Sequence, residues 1–311
     1  MKNPPIDILL ASFNGSQFIE SQLDSIFGQT YQNIHVIIRD DFSTDNTRKI
    51  LEDYAGRFPE KMTVVLSETR LGVKGNFSCL MSHSRSPYVM FSDQDDVWHP
   101  DKAAATLEKM TRIEKQSSPE TPLLVHTDLR VVDKDLRILA DSFWKYTGID
   151  PKKMTSLNRL LMQNRVTGCT VMINRPLLSL AAPIPKECAM HDWWLALVAA
   201  TFGRIEALPQ ATMDYRQHGS NALGASKFLS VDYFKRGLKK LRSPEKAKHM
   251  QAKEMLTRYQ DLLNLDQKRM LLAFQRLSKA SFLEKTVLIL KQGFFKSGFL
   301  RNAVNIFFKK Q

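Results

Sequence analysis

Cysteine is scarce in this chain: Cys79, Cys169 and Cys188 are its three cysteines, and no CxxC pair occurs among them. That excludes a disulfide framework and a cysteine zinc site, and it leads to the expectation of a reducing, cytosolic setting. Long apolar runs are missing too. The longest, Trp193 to Phe202, is about half of the roughly 20 residues a bilayer-spanning helix needs, so it reads as a buried helix. The opening residues Met1 to Asp7 carry neither an apolar signal region nor a small-residue cleavage site, which argues against secretion. Internal repeats and low-complexity tracts are absent as well.

What is present is an ordinary globular composition, 43% hydrophobic and 25% charged over 311 residues, which excludes disorder of the whole chain. A chain of this length holds one large domain, or a core domain with an appended segment. The charge favours the second arrangement. Net charge is +13, yet residues 227–311 hold 20 of the 45 lysines and arginines against 6 of the 32 acids, leaving residues 1–226 nearly neutral. The reading is a catalytic or binding domain over 1–226, followed by a basic, helix-rich segment over 227–311.

Short apolar runs alternate with helix-like stretches through the first hundred residues. "IDILLAS" (6–12), "HVIIRDD" (35–41), "MTVVLSE" (62–68) and "YVMFSD" (88–93) read as strands, and 16–27, 45–58 and 73–84 as helices. This order predicts an α/β fold whose mostly parallel central sheet is flanked by helices through right-handed crossovers. Later strands are expected at "LLVHTDLRVVD" (123–133) and "TGCTVMINR" (167–175). Parallel sheets bind ligands at the carboxyl ends of their strands. Three polar clusters fall there: "SFN" at 12–14, "RDDFSTDNT" at 39–47 and "SDQDD" at 92–96.

Asp93, Asp95 and Asp96 would repel one another in a cleft unless a cation or a hydrogen-bond network neutralised them. Hard oxygen ligands suit Mg2+ or Mn2+, which usually share their remaining positions with water and phosphate. The alternative is that these residues cap the helix after Pro100. Asp40 and Asp41 end another strand before a Ser/Thr/Asn turn, where a carboxylate can accept from a base N–H or a ribose hydroxyl. An Asx turn accounts for Ser43 to Asp45 but not for the doubled carboxylate.

The stretches "ILLASFNG", "SQLDSIFGQTYQNIHVIIRDDFSTDNT", "RLGVKGNF" and "MFSDQDDVWHPDK", in this order, resemble the N-terminal half of family-2 inverting glycosyltransferases of the GT-A fold. "MHDWWLALVA" and "MDYRQHGSNALG" are similar to the rhamnosyltransferase branch of that family, so the likeness covers about residues 5–225. It implies a nucleotide-sugar donor, with dTDP-L-rhamnose the first expectation, and a lipid-linked or polysaccharide acceptor. By the same resemblance Ala11, Ser12 and Phe13 would line the base pocket and Asp41 would meet the pyrimidine. Lys74 and Asn76 would add donor contacts, Asp93 would face the donor, Asp95 would bind the metal, and Asp96 would support them from behind.

The resemblance also makes Asp192 the catalytic base, which removes the acceptor's proton as that oxygen attacks the anomeric carbon. Many relatives carry Glu-Asp where this chain has His191-Asp192; His191 could tune the base or merely pack. Asp192 could equally cap the helix that follows. Trp193 and Trp194 read as core or wall, with stacking on a sugar the sharper alternative. His218 resembles the residue that closes the metal site or diphosphate pocket, beside Arg216, Gly219, Ser220 and Asn221, which read as a phosphate-handling loop. Gly168 would allow close backbone approach beneath the sugar or acceptor.

In the tail, Phe299, Leu300, Ala303, Val304 and Phe307 recur at helical spacing opposite Arg301, Asn302, Asn305 and Lys309. That suits a helix lying in a membrane interface, with packing on the chain itself or on a partner subunit as the alternative; the resemblance implies the cytoplasmic face, where relatives of this branch often extend glycans on lipid carriers. Two other functions compete: a sugar nucleotidyltransferase, whose glycine-rich opening is missing where "SFNG" stands, and a membrane-docked protein that binds a nucleotide sugar without catalysis. Nucleic-acid binding is not expected, since no recognised motif accompanies the charge.

Overall fold

The computed structural model describes residues 3–151, 155–218 and 244–296. One nine-stranded mixed sheet organises them, in the order β3-β2-β1-β4-β8-β6-β9-β5, with β7 paired to β6. Its first half is parallel: β1 (Ile6–Ser12), β2 (Ile34–Asp40), β3 (Met62–Val65) and β4 (Tyr88–Ser92). They are linked by helices α1 (Ile19–Phe27), α2 (Thr47–Arg57) and α3 (Gly72–His83).

After β5 (Val97–Trp98) and α4 (Lys102–Glu114) come β6 (Leu123–Val132), β7 (Ile138–Ala140), α5 (Phe143–Thr147) and α6 (Leu157–Met162). A 3-10 turn at Gly168–Thr170 then leads into β8 (Val171–Asn174), α7 (Arg175–Ala181), α8 (His191–Phe202) and β9 (Arg204–Arg216). Strand β8 is antiparallel to both β4 and β6, whereas β9 is parallel to β6. The α/β expectation therefore holds, with antiparallel insertions among strands that mostly run one way.

Period-2 alternation places each inner strand in two cores. Ile8, Leu10, Val36, Ile38 and Met90 face α1, α2 and α4, where they meet Ile19, Leu23, Leu51 and Leu107. Leu9, Ile37, Val89 and Phe91 face the opposite side, against Phe77 and Leu80 of α3 and the helix α8. That is why these strands read as continuous apolar runs rather than as alternating ones.

Strand β9 has no such signature. It carries Pro209 and a mixed sequence, and its pairing with β6 shifts register around Asp128, so pattern reading passes over it. It is nonetheless the longest strand described, at 13 residues.

The apolar run at 193–202 forms α8, buried on all sides. A helix apolar all round belongs inside a protein or a bilayer, and here protein covers it. Three further helices, α9 (Pro244–Arg258), α10 (Leu265–Arg276) and α11 (Phe282–Gln292), place Met255, Tyr259, Leu271, Phe274 and Ile289 in the same core as Trp194 and Leu197. Tyr259 stacks on Trp194 at 6.0 Å, and the Gln267 side chain donates to the Thr201 carbonyl at 2.6 Å. Among the described residues no helix is long and apolar enough to cross a membrane.

Candidate active site

The carboxyl ends of β1, β2 and β4 sit side by side, because Leu10 pairs with both Ile38 and Ser92. The three polar clusters that follow these strands are thereby gathered into one crevice. At the first, the Phe13 ring lies 3.7 Å from the Arg70 guanidinium carbon, a flat face suited to a base. Ala11 is half-buried on the core, and Ser12 is buried with its hydroxyl donating to Asp40.

The doubled carboxylate at 40–41 divides into two roles. Asp40 builds the loop: it accepts from the Ser43 amide and hydroxyl and from Arg48. Asp41 accepts from Arg39 at 2.7 Å and from the Leu71 and Gly72 amides at 2.7 and 2.8 Å. Two of these bonds fall on Oδ1 and one on Oδ2. A carboxylate oxygen carries two lone pairs, so Oδ2 keeps one acceptor position among the described residues. Beside it, Phe42 holds the left-handed conformation at φ +68, a strained setting for a bulky residue.

Two expected donor contacts have other partners here. The Lys74 ammonium donates to the carbonyls of Lys186 and Cys188, 2.7 Å each, and ties α3 to the segment leading into α8. Asn76, 2% exposed, donates to the Arg39 carbonyl at 3.1 Å. Both therefore brace the walls of the crevice.

At the aspartate loop, Asp95 Oδ2 lies 2.8 Å from His218 Nε2. A carboxylate beside an imidazole nitrogen is a donor pair that suits a divalent cation, and Mn2+ more than Mg2+ because of the nitrogen. Burial first, then the charges of Asp95 and Asp192, push the Asp93 carboxyl up from its ordinary range. Asp96 is fully buried; it accepts from the Arg216 amide at 3.3 Å, while its Oδ2 has no hydrogen-bond partner among the described residues. None of the three aspartates caps the following helix, since β5 intervenes and Asp101 holds the N-cap position of α4.

Arg216 is directed away from an expected diphosphate contact. Its guanidinium donates to the Asp95 carbonyl, the Lys134 carbonyl and the Ser21 hydroxyl, and it lies over the Phe18 ring at 4.8 Å. It thus locks the aspartate loop to α1 and to the turn after β6. Gly219, Ser220 and Asn221, together with the tail residues Phe299 to Lys309, lie outside the described residues.

Sequence reasoning missed Lys102. Fully buried, its ammonium donates to the Cys169 carbonyl at 2.8 Å and sits 4.6 Å from the Trp98 ring centroid. Burial pushes its pKa down to about 8, opposed by Cys169, Asp96 and Asp93. Ligand atoms of Asp93, Asp96 and Cys169 lie within 4.8 Å of one another; Lys102 supplies positive charge to this group from behind. The signal was the lysine of "HPDK" directly after the aspartates.

Asp192 stands in the first turn of α8, after Met190 as N-cap, so it does not itself cap the helix. Burial pushes its carboxyl up to about 7, against the Trp193 amide, the Asn164 side chain and the Gly168 amide, which favour the charged form. Asn164 was a second omission.

His191 packs. Its ring is 4.0 Å from Phe77 and 5.7 Å from Phe91, neither ring nitrogen has a hydrogen-bond partner among the described residues, and burial pushes its pKa down to about 3. A Cβ on Gly168 would stand 2.8 Å from His191 Nε2, so glycine lets this ring and the turn approach. Trp193 and Trp194, 8% and 0% exposed, are wall and core, and their indole N–H groups donate to the carbonyls of Leu160 and Ala181.

Comparison with known proteins gives a consistent result. Residues 7–119 match the family profile described as Glycosyl transferase family 2. An uncharacterized protein of Mycobacterium tuberculosis is 31% identical over 216 residues, which are 68% of this chain but 59% of the relative's length. The dTDP-rhamnosyl transferase RfbG of Shigella flexneri is 28% identical over 74% of this chain and 78% of its own. A putative teichuronic acid biosynthesis glycosyltransferase, TuaG of Bacillus subtilis, is 30% identical over 72% of this chain and 85% of its own.

Among solved structures, S. aureus TarS in complex with UDP-GlcNAc superposes with a TM-score of 0.58 at 18% identity, covering 88% of this chain and 73% of that one. The mannosyltransferase PcManGT from Pyrobaculum calidifontis, in complex with GDP-Man and Mn2+, gives 0.54 at 16% identity over 100% of this chain and 89% of that one. Both likenesses concern the fold, which is of the GT-A type.

Proposed function

From the premise that this chain belongs to glycosyl transferase family 2, we propose that it is an inverting glycosyltransferase of cell-surface glycan synthesis. It moves a sugar from a nucleotide donor to a hydroxyl of a lipid-linked or polysaccharide acceptor. L-Rhamnose from dTDP-L-rhamnose is the donor we favour, supported by the likeness to RfbG.

One observation carries the reading: across the crevice from the aspartate loop stands a buried carboxyl, Asp192, held up to about 7, whose charge reaches Asp93. A base poised near neutral pH can take a proton from the acceptor hydroxyl at the moment that oxygen attacks. Inversion follows if the acceptor enters from the Asp192 side and the nucleotide leaves from the side of Phe13 and Asp41. Trp193 and Trp194 keep that side dry, and the Asn164 and Gly168 bonds aim the carboxylate.

A divalent ion, Mg2+ or Mn2+, would be held by Asp95 and His218, and when bound it would supply Lewis-acid stabilisation of the charge on the departing diphosphate. Asp93 faces the donor in this scheme. The Phe13 ring and the open acceptor position on Asp41 Oδ2 take the base.

We further assign the basic C-terminal segment to the cytoplasmic face of an anionic membrane. Leu283, Val287 and Leu290 of α11 are 76%, 59% and 61% exposed. At i, i+4 and i+7 they form one apolar stripe on a segment rich in lysine and arginine. This would bring the crevice to a lipid-linked acceptor.

The test is direct assay of the purified protein against a panel of nucleotide sugars. Transfer or slow donor hydrolysis is expected with dTDP-L-rhamnose, abolished by EDTA and by Asp95→Ala. Turnover that persists in both would sink the metal assignment, and no reaction with any member of the panel would sink the function.

A further inference from the structure

We propose that Gln94 is a positioning residue of the donor site, holding the nucleoside platform at Phe13 in register with the aspartates on either side of it. The proposal rests on the donor-site reading above. The β1–β4 ladder ends at the pair Leu10 and Ser92, where β4 itself ends, while β1 runs on beside β2 as far as Ser12. Two residues after Ser92, the Gln94 carboxamide resumes the pairing: Oε1 accepts from the Phe13 amide at 2.7 Å, and Nε2 donates to the Phe13 carbonyl at 3.0 Å. A carboxamide carries the same donor and acceptor as a peptide, so this double bond to one residue reproduces a strand pair.

The loop so held is otherwise fastened elsewhere. The amides of Asn14, Gly15 and Ser16 donate to the side chains of Ser43, Thr47 and Asp45, in the β2–α2 connection and at the first residue of α2. Gln94 is thus the side chain through which the aspartate loop grips the base platform. The sequence accommodates it at a second point. A Cβ on Gly15 would stand 2.3 Å from Gln94 Oε1 and 2.5 Å from its Cδ, closer than any real contact. Gly15 is not among the residues at positive φ, so what an alanine there would meet is the far end of the Gln94 side chain, which would have to swing aside.

That gives the proposal a distinctive signature, a double-mutant cycle between two residues that would otherwise be unrelated. In the full chain, Gln94→Ala removes the clamp and Gly15→Ala dislodges it. Each should weaken binding of dTDP and UDP, measured by calorimetry with Mn2+, by about 5- to 30-fold, the worth of one to two hydrogen bonds. The double variant should bind within about twofold of Gln94→Ala, because Gly15→Ala has nothing left to displace.

With the preferred donor, KM should rise by a similar factor while kcat changes by less than about threefold, since Asp192 and the acceptor side are untouched. A Gln94 that only stabilised the fold would lower the melting temperature and leave KM in place. Wild-type KM and nucleotide affinity in Gln94→Ala, or fully additive losses in the double variant, overturn the proposal alone. A wild-type chain that binds neither nucleotide overturns the donor-site reading, and the proposal with it.

Discussion

Asp192 shows how one side chain takes its chemistry from its surroundings. Burial raises its carboxyl to about 7, while hydrogen bonds from Trp193, Asn164, Gly168 and its own amide keep the ionised form within reach. If Asp192 is the base, as we propose, the reaction needs its ionised form, and kcat/KM should climb as pH rises through about 7 and level off above it. Asp192→Asn should cost about 10²- to 10⁴-fold in kcat, the usual worth of general-base catalysis. Steady-state rates across pH 5.5–9 check both, and a flat profile with full activity in Asp192→Asn would remove the assignment.

At the same scale, a side chain's kind was more legible than its partners. Asp95 and His218 stand 2.8 Å apart, and the charge of Asp192 reaches Asp93. Lys74, Asn76 and Arg216 were expected on the donor, but Lys74 donates to carbonyls 112 and 114 residues away, Asn76 to one 37 away, and Arg216 to carbonyls 82 and 121 away and to the Ser21 hydroxyl. A polar side chain announces that it will be satisfied; which distant carbonyl satisfies it depends on how the chain returns.

At the scale of elements, β9 deserves the closest reading because its sequence conceals it. It completes the sheet beside β6 and delivers Arg216 to the aspartate loop, and Asp214 is its anchor. Burial would raise the Asp214 carboxyl, but hydrogen bonds from His99 and Arg130, at 3.0 and 2.5 Å, outweigh it and hold the pKa down to about 2.

The sign follows from the direction of that shift. A carboxylate with a lowered folded pKa contributes stability above its unfolded value near 3.8, and that contribution is lost as pH falls toward 2. We expect Asp214→Asn to lower stability at pH 7 by about 1–2 kcal/mol, the size of such a shift after allowance for the partly exposed Arg130. The variant should also lose less stability than wild type between pH 4 and 2. Urea midpoints at pH 7, 4 and 2.5 measure this, and parallel losses in the two proteins would refute it.

For the molecule as a whole, the distribution of charge and apolar surface matters more than any one site. Helices α9 to α11 bury one side in the core that also holds α8 and leave Leu283, Val287 and Leu290 outward. If that stripe meets lipid, the protein should float with anionic vesicles and not with neutral ones, and added salt should weaken the association. Replacing the three residues with serine should abolish flotation while melting temperature stays within a few degrees, since all three are exposed. Retention of binding in that variant, or binding to DNA without binding to vesicles, would discard the membrane face.

The sequence by itself determined the sheet's parallel half, the helices around it and the chemistry of the crevice. Each rests on short-range information: apolar runs of strand length, and carboxylates placed where such strands end. Tertiary structure alone decided that β9 lies between β6 and β5, that Lys102 stands as a buried cation behind the aspartates, and that Gln94 grips Phe13 across 81 residues. It also decided that His191 packs against Phe77 and Gly168. The reason is common to all of these: each is a contact between segments far apart in the chain, and one side chain carries no mark of its distant partner until the sheet brings them together.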